Sequence, residues 1–391
     1  MSDNAMPATG RIGLALSGGG IRAAVFHLGV LKRLAEGGYL EQVSQISTVS
    51  GGSLVTGAIF AHAGGKWPSS QEFLESVYPT VRSMLVSEDL LSFRALGFWG
   101  AIRENVRIFY KRAHILAKML QYRWLIKLKL SDLPATPVWH INTTCIETGK
   151  NWRFSRDVMG DWRFGRHYSP NFLVAEAIAA SAAVPYAIGA LKLELPKDGW
   201  WRTNPATKEP VEKIEPKYRS VRLWDGGAYE NMGLEALYKP AEGLQGCDVL
   251  MCSDASASLG APKGILASLL TGSLASPRLF DIASDQIRSL RSRMLMKSIK
   301  SNEIQGVLFR IGTSARDFNL APGEIAGRMT DEECVLCLSY RTDLARIEEK
   351  YFDRIARHGY EVADLTMAAY GKKQLLSIDN SNKQEKAEPV T

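Results

Sequence analysis

The chain has few of the features that mark a secreted or membrane-spanning protein. Its five cysteines (Cys145, Cys247, Cys252, Cys334, Cys337) are odd in number and scattered, which argues against a disulfide framework and for a reducing, cytoplasmic compartment. The opening "MSDNAMPATG" is polar and lacks the regions of a signal peptide. The apolar run after it is interrupted by three glycines and Arg22, too soon to span a bilayer. No repeat and no linker stands out, so residues 11–370 read as one elaborated domain, with a polar, disordered tail expected over 376–391. Histidine is scarce as well. His358 is the only one after residue 167, and its helical surroundings suit packing better than catalysis. Cys334 and Cys337 form a lone C-x-x-C with no second ligand pair, so they read as packing residues, and no metal is expected.

What is present is an alternation of strand and helix signals. "RIGLALS" is a short apolar run ending at glycines, and "IRAAVFHLGVLKRLAEGG" follows with helical spacing and a Gly-Gly stop. "VSQISTVS" and "GGSLVTGAIFAHAGG" repeat the pattern, which implies parallel strands joined by right-handed crossovers. Residues 66–135 turn mostly helical and read as an insertion. Strand-like runs then return in "PVWHINTTCIE", "WRFS", "YRSVRLWDGG", "DVLMCSDAS" and "GVLFRIGT". The expected fold is α/β, a three-layer sandwich around a mostly parallel sheet, with ligands beyond the carboxyl ends of the strands.

Both early glycine-rich turns fall at such ends. Gly18, Gly20 and Ala23 satisfy the dinucleotide fingerprint G-x-G-x-x-G/A. A dinucleotide site also needs a carboxylate at the end of the second strand to hold the ribose, and "ISTVSGGS" offers none, so no cofactor is expected. What stands there instead is Ser50, before Gly51 and Gly52 on a tight strand-to-helix turn. Such a serine projects its oxygen above the sheet, although Ser50 or Ser53 could equally cap the helix. Gly18, Gly19 and Gly20 could then turn their amides toward an oxyanion. For the base, Asp225 ends an apolar strand just before Gly226 and Gly227; a plain Asp-Gly-Gly turn is its bland alternative. Asp254, at another strand end, ranks second because no glycines follow it.

Taken together and in order, "LALSGGGIR", "STVSGGS", "AIAASAAVPYAI" and "LWDGGAYENMG" resemble the patatin-like phospholipase family, bacterial members included. The resemblance implies a lipid acyl hydrolase of phospholipase A or lysophospholipase type, with a Ser–Asp dyad and no metal. Ser50 matches the nucleophile, Asp225 the acid-base, and Gly18, Gly19 and Gly20 the oxyanion loop. Arg22 matches the loop's basic residue, read either as a holder of backbone carbonyls or as a phosphate contact. Two positions depart from the family's pattern. Thr48 replaces the first glycine of G-x-S-x-G, where a β-branched residue crowds the turn although a strand position tolerates threonine better than a turn does, and Ala23 replaces the glycine after the arginine. A general carboxylesterase, an acyltransferase or a weakly active scaffold of the same fold are the alternatives.

Charge is concentrated in one place. Residues 91–130 hold nine Lys or Arg against Glu104 alone, a net of +8 in a chain whose total is +7. Aromatic residues are interleaved, which suits an anionic membrane surface and a peripheral, inner-face location. A solvated face of packed helices is the plainer reading, and nucleic acid is not expected.

Overall fold

The computed structural model describes residues 10–90, 112–185, 188–204, 207–256, 276–318 and 322–371. Two strand–helix units come first: β1 (Ile12–Leu16), α1 (Gly20–Glu36), β2 (Val43–Thr48) and α2 (Gly51–His62). The insertion contributes α3 (Tyr78–Ser87) and α4 (112–122). Sheet returns as β3 (Val138–Cys145), β4 (Lys150–Phe154), β5 (Val158–Asp161) and β6 (Gly165–Tyr168). Helix α5 (Val174–Ser181) precedes β7 (Leu191–Glu194), β8 (Trp200–Thr203), β9 (Pro210–Ile214) and β10 (Ser220–Asp225). A short ribbon, β11 (Tyr238–Lys239) and β12 (Gly243–Leu244), leads to β13 (Val249–Asp254), α6 (Ser276–Lys300) and β14 (Gln305–Arg310). Helices α7 (Asp331–Leu338) and α8 (Glu349–Thr366) follow. Part of the basic segment (91–111) and the tail (376–391) lie outside the described residues.

Strand β1 carries no polar side chain and is buried throughout, as expected of a central strand covered on both faces. The order β14-β13-β1-β2-β3 is parallel, and this centre matches the expected parallel sheet. Beyond β3 the sheet turns antiparallel through β4, β5, β6, β8 and β9. A mixed central sheet with helices on both faces results. The larger core lies under α1, α2 and α8, where Leu14, Leu16 and Met251 point. The alternate residues Ala15, Leu250 and Cys252 point to a smaller core under α6.

Strand β3 decides where the site forms. Its first half pairs in parallel with β2, with Thr48 opposite Ile141. Its second half pairs with β10 running the other way, with Asp225 opposite Thr143. Strand β4 occupies the other edge of β3, so β2 and β10 share one edge and end facing each other. Both carboxyl ends therefore meet beside Asn142.

The C-terminal helix fastens the other side. Where α8 crosses α1, a Cβ on Gly29 would stand 2.0 Å from the Ala356 carbonyl oxygen, and one on Gly359 would stand 2.1 Å from that of Phe26. Only glycine at both positions permits this backbone contact. His358 is buried in the same contact, its ring tilted against Phe26 and its Nε2 accepting the Gly312 N–H at 2.8 Å. Burial lowers its pKa to about 4, so it stays neutral. Cys334 and Cys337 are buried in α7, and burial pushes their thiols up to about 11 and about 12.

Candidate active site

Ser50 sits between β2 and α2 with φ 48° and ψ −112°, a backbone conformation that side-chain-bearing residues rarely hold and that costs about 1–3 kcal/mol. The turn is held from several sides. Val49 N–H donates to the Leu16 carbonyl at 3.1 Å, Gly52 N–H to that of Ser17 at 3.1 Å, and Ser50 N–H to the Ser181 hydroxyl at 3.0 Å. Ser181 in turn donates to the Asn142 carbonyl at 2.8 Å and shares a hydrogen bond with Ser53 at 2.9 Å. Asn142 Nδ2 reaches the Thr48 carbonyl at 3.0 Å, closing a buried polar network beneath the turn.

Thr48 belongs to that network, which corrects the expectation that it crowds the turn. It lies within β2, where a β-branched residue fits, and its hydroxyl meets Ser53 at 2.8 Å and accepts the Trp139 Nε1–H at 2.9 Å.

Asp225 ends β10 and is buried, with one carboxylate oxygen accepting the Gly227 N–H at 2.7 Å. Its backbone is pinned by the Ala183 carbonyl and the Thr144 hydroxyl. Burial pushes the carboxyl up to about 7, against the Gly227 N–H and the Ser50 hydroxyl, which favour its ionised form. Ser50 and Asp225 thus stand beside each other in one cavity, although they lie 175 positions apart in the chain. Asp254 is engaged elsewhere. Its carboxylate is fully buried, takes the Ser256 N–H at 3.1 Å and lies 3.5 Å from Arg288.

The glycine loop closes over the pair. Gly19 and Gly20 have φ of 143° and 63°, and a Cβ on Gly51 would stand 2.3 Å from the Gly20 carbonyl oxygen. Among the described residues, neither Gly19 nor Gly20 N–H donates a hydrogen bond. Gly18 differs from the expected trio. Its N–H is committed to the Asn231 carbonyl at 3.0 Å, so it holds the loop and has no donor left to offer. Gly226 and Gly227 continue from Asp225 as a tight turn that passes close to Asn142 and Asn231.

Arg22 is 1% exposed, beyond the reach of a lipid phosphate. Its guanidinium donates to the carbonyls of Ala255 (3.1 Å), Leu338 (3.1 Å) and Tyr340 (2.9 Å). It thereby draws the segment after α7 against the glycine loop, where Ile21 N–H also meets the Asp343 carbonyl at 2.9 Å. Burial lowers its pKa to about 10, leaving it charged. His27 secures the loop from below, bridging the Ser17 carbonyl (3.0 Å) and the Ser253 hydroxyl (2.8 Å).

Three residues here were not singled out from the sequence: Asn142, and Ser181 and Asn231, which lie inside the motifs "AIAASAAVPYAI" and "LWDGGAYENMG". Asn231 stands where Glu230 curls the chain by accepting the N–H groups of Met232 and Leu234, and it donates to Ser256 at 2.8 Å. Their side chains matter through partners that are remote in sequence.

Ser50, Asp225, Gly19, Gly20 and Asn231 line one cavity of about 510 Å³. Val184, Ile188, Phe280 and Leu344 form its apolar walls, and Arg288 and Asp285 stand at one side. The sequence model of a family described as patatin-like phospholipase matches residues 14–238, more than half of the chain. The chain belongs to the patatin-like phospholipase family. All four motifs of this patatin-like chain fall within the match.

Among solved structures, the chain is similar to human GIVD cytosolic phospholipase A2, with a TM-score of 0.58 at 13% identity over 96% of this chain and 61% of that one. A second structure of that human protein, in complex with methyl gamma-linolenyl fluorophosphonate inhibitor and terbium chloride, gives a TM-score of 0.52 at 15% identity, covering 96% and 60%. At these identities the likeness establishes the fold, and the patatin-like chain spans about six tenths of the solved chains' length. A comparison with curated proteins returned no match.

Proposed function

We propose that the protein is a serine-dependent lipid acyl hydrolase of phospholipase A or lysophospholipase type. The observation that carries this reading is Ser50, held at positive φ beside a buried Asp225 whose carboxyl is poised near neutrality. Asp225 takes the proton from the Ser50 hydroxyl, and the oxygen attacks the ester carbonyl. The N–H groups of Gly19 and Gly20 receive the oxyanion; each such donor contributes about 10²–10³ in rate. The carbon–oxygen bond to the alcohol then breaks, and Asp225 returns its proton to the leaving oxygen. Water repeats the sequence: Asp225 takes its proton, the resulting hydroxide attacks the acyl carbon, and Ser50 leaves with the proton.

The substrate is a phospholipid or lysophospholipid, in keeping with the family and with the apolar cavity walls. Purified protein incubated with a phospholipid and lysophospholipid panel releases fatty acid, and Ser50→Ala and Asp225→Asn each lower the rate at least a thousandfold. Wild-type rates in both variants would remove the dyad.

The membrane is met through the basic segment 91–130. In its described part, Leu116, Leu120 and Trp124 point into the core, while Tyr122 and Leu125 are exposed among Lys118, Arg123, Lys127 and Lys129. An apolar pair framed by cations suits an anionic lipid surface. Co-sedimentation with phosphatidylglycerol vesicles falls when Lys127 and Lys129 are changed to Glu. Binding indifferent to lipid charge and to these residues would exclude this contact.

A further inference from the structure

A second cavity, of about 640 Å³, lies between α6 and β14 and reaches the end of α8. It shares Arg288 with the cavity of Ser50, so one guanidinium stands between the two. Its volume is that of an ordinary small-ligand site. Four cations line it: Arg288, Arg293, Lys300 and Arg310. The one lining carboxylate, Asp317, is occupied by the Ser314 N–H at 2.7 Å.

The cations are under-compensated. Arg293 and Lys300 are exposed and pair with no carboxylate among the described residues, unlike Arg291, which meets Glu235 at 2.7 Å. Arg288 binds Asp285 at 2.8 Å, yet its Nε is buried without a hydrogen-bond partner. Behind the rim, the single buried carboxylate of Asp254 lies 3.5 Å from Arg288 and 3.8 Å from Arg310, serving both loosely. Buried donors of this kind are normally completed by protein, ordered water or a bound ligand.

The remaining surface is apolar. Met296, Leu308, Phe318 and Tyr370 line the cleft, with the last two rings 6.2 Å apart. Along α6, the stretch from Arg288 to Lys300 extends about 18 Å. A cationic rim over an elongated apolar floor selects an amphiphile with an anionic head, not a free ion or a neutral chain.

We propose that this cleft binds a single-chain lipid phosphate, with its phosphate on Arg293 and Arg310 beside Arg288 and its chain on the apolar floor. The choice of lipid rests on the reading of Ser50 as a lipid hydrolase, because removal of one acyl chain releases a single-chain lipid phosphate next to Arg288, a monoacyl glycerophosphate when the substrate is a phosphatidate. The cleft itself stands on its own geometry.

Calorimetric titration with palmitoyl lysophosphatidate, below its micelle concentration, tests the proposal on wild-type and Ser50→Ala protein. Saturable binding is expected in both. Arg293→Glu is expected to weaken it at least tenfold, while Arg293→Lys retains it; Arg293 is exposed and pairs with no carboxylate among the described residues, so unchanged thermal unfolding verifies the fold. Monopalmitoylglycerol, which lacks the phosphate, and glycerol 3-phosphate, which lacks the chain, each bind at least tenfold more weakly. Undiminished binding by the charge-reversed protein overturns the proposal, as does equal binding of either partial ligand. Hydrolysis that survives Ser50→Ala while charge reversal still abolishes binding would remove the Ser50 reading and leave the cleft.

Discussion

Asp225 joins stability to activity through one proton. Its carboxyl is raised from 3.8 to about 7 by burial, so between those values the folded chain holds a proton that the unfolded chain has released. Stability therefore falls as pH rises from about 4 to about 7 and then levels off. The displacement corresponds to up to about 4 kcal/mol at pH 8. Asp225→Asn is expected to raise the midpoint of thermal unfolding at pH 8 and to leave it nearly unchanged near pH 4. In the wild type, kcat/KM for a soluble ester rises through about pH 7, where the base ionises, and is flat above it. A stability gain that did not depend on pH would contradict the buried-carboxyl explanation. Thr48 provides a second residue-level test. Thr48→Val keeps the shape but strands the Trp139 Nε1–H, while Ser53 keeps its bond to Ser181, at a cost of about 1–3 kcal/mol in urea unfolding. Thr48→Ser keeps the hydroxyl and should lose much less.

At the scale of elements, the site is a meeting of ends. The strand ends were legible in the sequence because glycines follow apolar runs at Leu16, Thr48 and Asp225, and Ser50 and Asp225 were legible as the polar residues standing there. The reversal of β10 was not legible, since strand periodicity is the same in parallel and antiparallel pairs. That reversal brings Asp225 to Ser50 across Asn142. Nor could the sequence tell which loop amides remain free, because the Gly18 N–H is taken by Asn231, 213 residues later. The role of Arg22 depends on remote carbonyls in the same way. Lysine cannot span the three acceptors that Arg22 reaches with its planar fork. Arg22→Lys is expected to speed amide exchange at Ile21 and over 338–344, and to lower kcat at least tenfold with a smaller change in KM. Unaltered exchange would show that the clamp is not what holds this segment.

Across the whole molecule, the parallel centre of the sheet carries Ser50, the antiparallel β10 brings Asp225 to it, and helices after residue 238 pack around both from outside the family match. Helix α8 packs its backbone against α1, α6 walls the cavity with Phe280 and Asp285, and the segment after α7 covers the glycine loop. No described helix is long and apolar enough to cross a membrane. The measurement that tests the central claim most directly is intact-protein and peptide mass spectrometry after treatment with an alkyl fluorophosphonate at pH 8. One phosphonyl group is expected on Ser50, absent in Ser50→Ala and much slower to form in Asp225→Asn. Modification at another serine, or an equal rate in Asp225→Asn, would contradict a Ser50–Asp225 dyad.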